Sequence, residues 1–102
     1  MDTPRATSIN APVIDEKRTT VGTVTDVLYA GDSNTPKWLV VNPGLLRAER
    51  FVPVEGSYDS DDGCLVIPFD KRWVKEAPKA RNHVLSGAIE SAAIDHYGLQ
   101  HS

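Results

Sequence analysis

The sequence predicts a mainly β fold, a small barrel or sandwich of about five or six short strands followed by one short helix. Three observations carry this. Runs rich in Val, Thr, Tyr and Phe recur with turn signals between them, at roughly the 8–12-residue spacing of all-β domains. The run "VGTVTDVLY" places Val21, Val24 and Val27 three apart around Gly22, a spacing that suits neither a plain alternating strand nor a helical stripe. The stretch "SGAIESAAIDHYG" from Ser86 has helical periodicity and ends on a glycine.

The elements follow in order. "SINAPVID" at 8–15 is a weaker strand, joined to Val21 by the polar turn "EKRTT". In Val21–Tyr29 the glycine marks a bulge or sharp bend, where one extra residue lets Val21 and Val24 share an inner face. Leu28 follows Val24 at an even offset. Trp38–Val41, bounded by "GDSNTP" and "NPG", is a second strong strand. "FVPVE" at 51–55 and "CLVIP" at 64–68 flank the acidic, glycine-bounded "GSYDSDDG", which reads as a hairpin connection. A proline in each of these runs places it at a sheet edge, a strand end or a bulge. Asp70 is a helix N-cap for a short turn carrying Trp73 and Val74, and Pro78 stops it. In the final helix Ile89, Ala92, Ala93 and Tyr97 form an apolar stripe while Glu90 and Asp95 face away. Gly98 ends that helix, with Leu99 folding back on Ile94.

Composition narrows the function classes. The chain has 102 residues, enough for one small core, and its 40% hydrophobic and 25% charged content is that of an ordinary globular domain. A net charge of −3 discourages contact with phosphate backbones, so nucleic acid is an unlikely partner. The longest run of large apolar residues, "WLVV", is far too short to cross a bilayer or to serve as an export signal. A single cysteine, Cys64, excludes an internal disulfide, and the default expectation is a soluble cytoplasmic protein.

The ordered series "VGTVTDVLY", "PKWLVVNPG", "RFVPVE", "DDGCLVIPFDK" and "VKEAP" resembles the PRC-barrel domain, known from the photosynthetic reaction centre H subunit and from the C-terminus of ribosome maturation factors. The resemblance implies a small, strongly bent β-barrel over residues 8–78. A flexible stretch at 1–7 is expected before it, and an extension at 79–102 after it with a helix at about 87–97. Neither the membrane helix of the H subunit nor the extra N-terminal β-domain of the maturation factors precedes this barrel, so a stand-alone member is expected. The resemblance also implies a module that docks on partner proteins. A ribosome-associated accessory role and a small-ligand-binding barrel are the alternatives.

No residue pattern signals an enzyme, a metal site or a cofactor. Asp59, Asp61, Asp62 and Asp70 lack the glycine position and the following helix of a calcium loop, and read as a solvated turn. Cys64 opens an apolar strand with no histidine nearby in sequence, which makes it a structural thiol. His83, His96 and His101 have no zinc-site spacing and read as surface or capping residues. Lys71, Arg72, Lys75, Lys79 and Arg81 are interrupted by acids and read as a solvated face.

"WLVV" is apolar on both faces of its strand, although a barrel has one inside. Leu39 and Val41 are assigned to the lumen, leaving Trp38 and Val40 outside with Phe51 nearby. One short helix bearing two alanines is too small to shield them. The expectation is therefore a homodimer, with Trp38, Val40, Phe51, Ile89, Ala93 and Tyr97 at the interface.

Overall fold

The computed structural model describes residues 9–29, 35–44 and 48–99. The expected flexible stretch 1–7, most of the turn after Tyr29 and His101 lie outside the described residues. The strands are β1 (Pro12–Asp15), β2 (Thr20–Tyr29), β3 (Pro36–Asn42), β4 (Arg50–Pro53), β5 (Tyr58–Asp59) and β6 (Leu65–Ile67). They are followed by α1 (Lys71–Lys75), a 3-10 turn at Arg81–His83, and α2 (Gly87–Tyr97).

The sheet runs in the order β4-β3-β2-β1-β6-β5. Among the described residues only β1 and β6 pair in parallel, with Val13 opposite Leu65 and Asp15 opposite Ile67. Among the described residues β4 and β5 do not pair with each other, so the bent sheet is left open rather than closed into a ring. The expected hairpin between 51–55 and 64–68 is corrected accordingly. β4 pairs with β3 at one edge, while β6 pairs with the two-residue β5 formed inside the acidic loop. Pro53 sits at the end of an edge strand, as a residue without a ladder donor should.

The spacing of three in β2 comes from two irregularities. Against β1 the register jumps from Val13–Gly22 to Ile14–Thr20, so Val21 is the extra residue, and Val21 and Val24 are both buried. Against β3 it jumps from Val24–Val41 to Asp26–Val40, so Thr25 is extra. Cross-strand partners share a face. Val24 and Val27, opposite Val41 and Leu39, therefore share one face, and Leu28, opposite Trp38, falls on the other rather than beside Val24. Gly22 is required by a close approach: a Cβ there would lie 2.1 Å from the Asn42 carbonyl oxygen and 2.9 Å from the Pro43 Cα.

The core draws on both faces of β3. Trp38, Leu39, Val40 and Val41 are all buried and belong to one apolar cluster with Val13, Val21, Leu65, Ile67 and Phe51. The Trp38 side is covered by the chain itself, because its indole Nε1 donates to Glu90 Oε2 on α2 (2.9 Å). This corrects the expectation that one helix cannot shield the patch. The cover is α2 together with the segment leading to it, and the indole stays sealed because its N–H finds an acceptor. Truncating Trp38 or Phe51 to alanine would cost roughly 3–5 kcal/mol.

The stripe on α2 is also shifted. Ala93 and Tyr97 are buried and Ile89 and Ile94 half-buried, but Ala92 is exposed and Glu90 turns inward. Ser86 caps the helix by accepting from the Ile89 N–H. At the other end Gly98 is left-handed (φ 70°), and the amides of Gly98 and Leu99 bond the carbonyls of Asp95 and Ile94.

Candidate functional site

Three features position the site. The first is the seam where the C-terminal segment meets the sheet. The Phe51 amide bonds the Pro78 carbonyl (3.4 Å) and the Ala80 amide bonds the Glu49 carbonyl (2.9 Å), so residues 78–80 run along the outer edge of β4. That edge would otherwise offer unpaired backbone groups. Tyr97 Oη donates to the Phe51 carbonyl (2.6 Å), and burial pushes its phenol well above the ordinary tyrosine range. Arg50 donates to the Ala77 carbonyl (2.6 Å).

The second feature is a charged cluster beside this seam. His83 Nδ1 lies 3.1 Å from Asp26 Oδ2 on β2, and His83 Nε2 lies 2.9 Å from Glu49 Oε1 ahead of β4. The Thr25 hydroxyl, placed by the second bulge, donates to the other oxygen of Glu49 and lies 3.2 Å from the Val40 carbonyl oxygen. The hydrogen bond to Glu49, reinforced by Asp26, holds the His83 ring above its ordinary pKa. The Thr25 hydroxyl first, and then His83, hold the Glu49 carboxyl below its ordinary value. The two ring nitrogens point to different carboxylates on opposite sides, so the three groups converge on each other rather than on an ion. Among the described residues no cluster of ligating side chains could hold a metal.

The third feature is a shallow groove between the ends of β2 and β3 and the segment after His83. Leu28, Tyr29, Lys37, Leu85 and Glu90 line it with Trp38 beneath. Tyr29 and Val84 beside it are 55% and 60% exposed. Glu90 is held below its ordinary pKa by the indole N–H and by Lys37 Nζ, which lies 3.1 Å away.

The six residues expected at an interface are brought together, but inside one chain. Trp38, Val40, Phe51, Ala93 and Tyr97 are buried and Ile89 is half-buried. The remaining candidates separate from one another. Ser60, Asp62 and Cys64 form a local turn, with the Ser60 hydroxyl bonded to the Asp62 carboxylate and accepting from the Cys64 amide (3.0 Å). Asp70 caps α1 through the Trp73 amide (2.8 Å). His96 Nε2 meets the Trp73 carbonyl (2.7 Å) while Trp73 Nε1 donates to the His96 carbonyl (2.9 Å), locking α1 to α2. Asp26, Glu49 and His83 as a set escape sequence reasoning, because 57 residues separate His83 from Asp26 and 34 separate it from Glu49. The one local sign was Asp26, an acid inside a β-forming run.

No curated protein matches the chain. The PRC-barrel domain family matches residues 6–74, a stretch that runs from before β1 into α1 and leaves out the C-terminal side of the seam, His83 and α2. With its bulged, bent sheet and this match over more than half its length, the chain belongs to the PRC-barrel domain family.

Proposed function

We propose that this chain is a non-catalytic protein-interaction module built on a PRC-barrel. The observation that supports it is how its polar and apolar groups are used. The inward-facing polar side chains that could do chemistry, His83, Glu49, Glu90 and Tyr97, are spent on holding elements together. Large apolar side chains remain exposed: Ile9, Tyr29, Tyr58, Trp73 and Val84 are each 39–60% exposed. Exposed Tyr and Trp side chains are of the kind that anchors protein partners. Tyr29 and Val84 flank the groove, and a rim of this kind offers a partner contact area rather than a reaction centre. Self-association belongs to the same reading. The bonds of α2 to Trp38 and Phe51 can also form with α2 of a second copy, so exchanged helices would place the six expected residues between two chains.

Affinity capture from the native extract, with Tyr29→Ser and Val84→Ser as controls, tests the module. A protein retained by the wild type and lost from the variants supports it, and retention unaffected by both overturns the assignment of the partner to this rim. Light scattering tests the exchange. A concentration-dependent mass of twice 11.1 kDa is expected, and a clean mass of 11.1 kDa at tens of micromolar (about that range sits well above a specific Kd) removes it.

A further inference from the structure

The segment from Ala80 to Leu85 joins the β4 edge to α2, and its backbone is unusual. Asn82 (φ 54°) and His83 (φ 57°) are consecutive left-handed residues, neither of them glycine. That conformation costs energy for residues with a Cβ, less for Asn and His than for most, and surrounding contacts help to hold it. The contacts that reach the sheet from the His83 side chain are the two to Asp26 and Glu49. Ionised carboxylates only accept hydrogen bonds, whereas a neutral imidazole has a single N–H. Both contacts are therefore hydrogen bonds together only when the ring carries two protons.

We propose that His83 is a charge-dependent clamp, pinning the segment 80–85 to the sheet as an imidazolium and releasing it when the ring loses a proton. The titratable groups that face it are Asp26 on β2 and Glu49 ahead of β4. Arg81 lies in its own segment and Lys79 just ahead of it, and Tyr29, Lys37 and Glu90 line the groove beside it. The ring is about one-third exposed (33%), so the clamp acts on a local equilibrium rather than on the whole fold. The raised pKa of the folded ring sets the direction. The clamp is complete from above the carboxylate range up to the unfolded histidine value of 6.5, and weakens as pH rises through the raised folded value. On release the left-handed pair relaxes and the wall of the groove beside Trp38 loosens. This inference does not depend on the identity of any partner.

Ring-nitrogen NMR titration of the full chain is the first measurement. His83 should titrate above the ordinary histidine value, and Asp26→Asn and Glu49→Gln should each bring it down. The second is hydrogen exchange of amides 80–90, corrected for intrinsic rates, at about pH 5.5 and about pH 8.5. Opening should increase several-fold between the two in the wild type, on the order of 3- to 10-fold, while amides of β3 stay unchanged. In His83→Gln the segment should be equally open at both values. A wild-type ring titrating at or below 6.5, or a segment whose exchange responds to pH identically in His83→Gln, overturns the clamp. Should His83→Gln fail to fold, Glu49→Gln read in the same two measurements decides the matter.

Discussion

The centre of the sheet and its β5–β6 corner are built from different kinds of contact. Around β3, side chains are buried on both faces, and the polar bonds that seal them span long stretches of chain. Tyr97 reaches Phe51 across 46 residues and Trp38 reaches Glu90 across 52. At the corner both residues of β5 are exposed, and the turn is tied by bonds spanning two to four residues, among Ser60, Asp62 and Cys64. β5 and its turn are thus specified by local chemistry and contribute little burial, while β6 beside them joins the core through Leu65 and Ile67. The centre gathers the burial but exists only once the C-terminal segment has returned to cover it. A single apolar strand became a two-sided core because the chain supplied a second layer of its own.

The strongest way to break this contrast is Gly22→Val. The added side chain would drive into the Asn42–Pro43 backbone at the end of β3, where no flexible neighbour can give way. A loss of roughly 3 kcal/mol or more is expected. In a denaturant titration the midpoint should fall steeply or the protein should fail to fold. A variant melting within a degree or two of wild type would move the tight approach elsewhere.

Tyr97→Phe sharpens the comparison by removing one long-range bond and nothing else. The Phe51 carbonyl loses its hydroxyl partner in a buried site, at about 1–2 kcal/mol. In a chain of this size that is a fall in Tm on the order of 10 °C. An unchanged Tm would mean that water replaces the hydroxyl and that α2 is less tightly seated than its packing indicates.

The smallest effect is expected at the corner. Asp61→Ala at the exposed hairpin tip should change stability by no more than about 0.5 kcal/mol, with an unaltered far-ultraviolet spectrum. A larger loss would show that the acidic turn has a long-range role and would erase the distinction between the two regions.

Individual residues show how much could be read in advance. Gly22 and the valine spacing announced an irregular, bent strand, because a bulge leaves its trace within a few residues. The Asp70 and Ser86 caps and the Gly98 stop were legible for the same reason. The second bulge left its trace in the Val24–Val27 spacing, but which residue of "VTDV" is the extra one is not legible until β3 lies alongside. Glu90 looked like a solvent-facing acid because helical periodicity does not know where an indole N–H will need an acceptor. The strand pairing of 51–55 with 64–68 was the natural local inference. It failed because β6 gained more by lying beside β1, bringing Leu65 and Ile67 into the same cluster as Val13.

The sequence by itself determined the β-rich class, the bent second strand, the turns, the helix with its ends, and the family, since propensities, caps and short hydrogen bonds act over one to five residues. Only the tertiary structure decided the strand order, the seating of the chain's own α2 on Trp38 and Phe51, and the meeting of His83 with Asp26 and Glu49. Each of these depends on which distant surfaces exclude water together. That is settled by the sum of burial over the whole chain rather than by any local pattern.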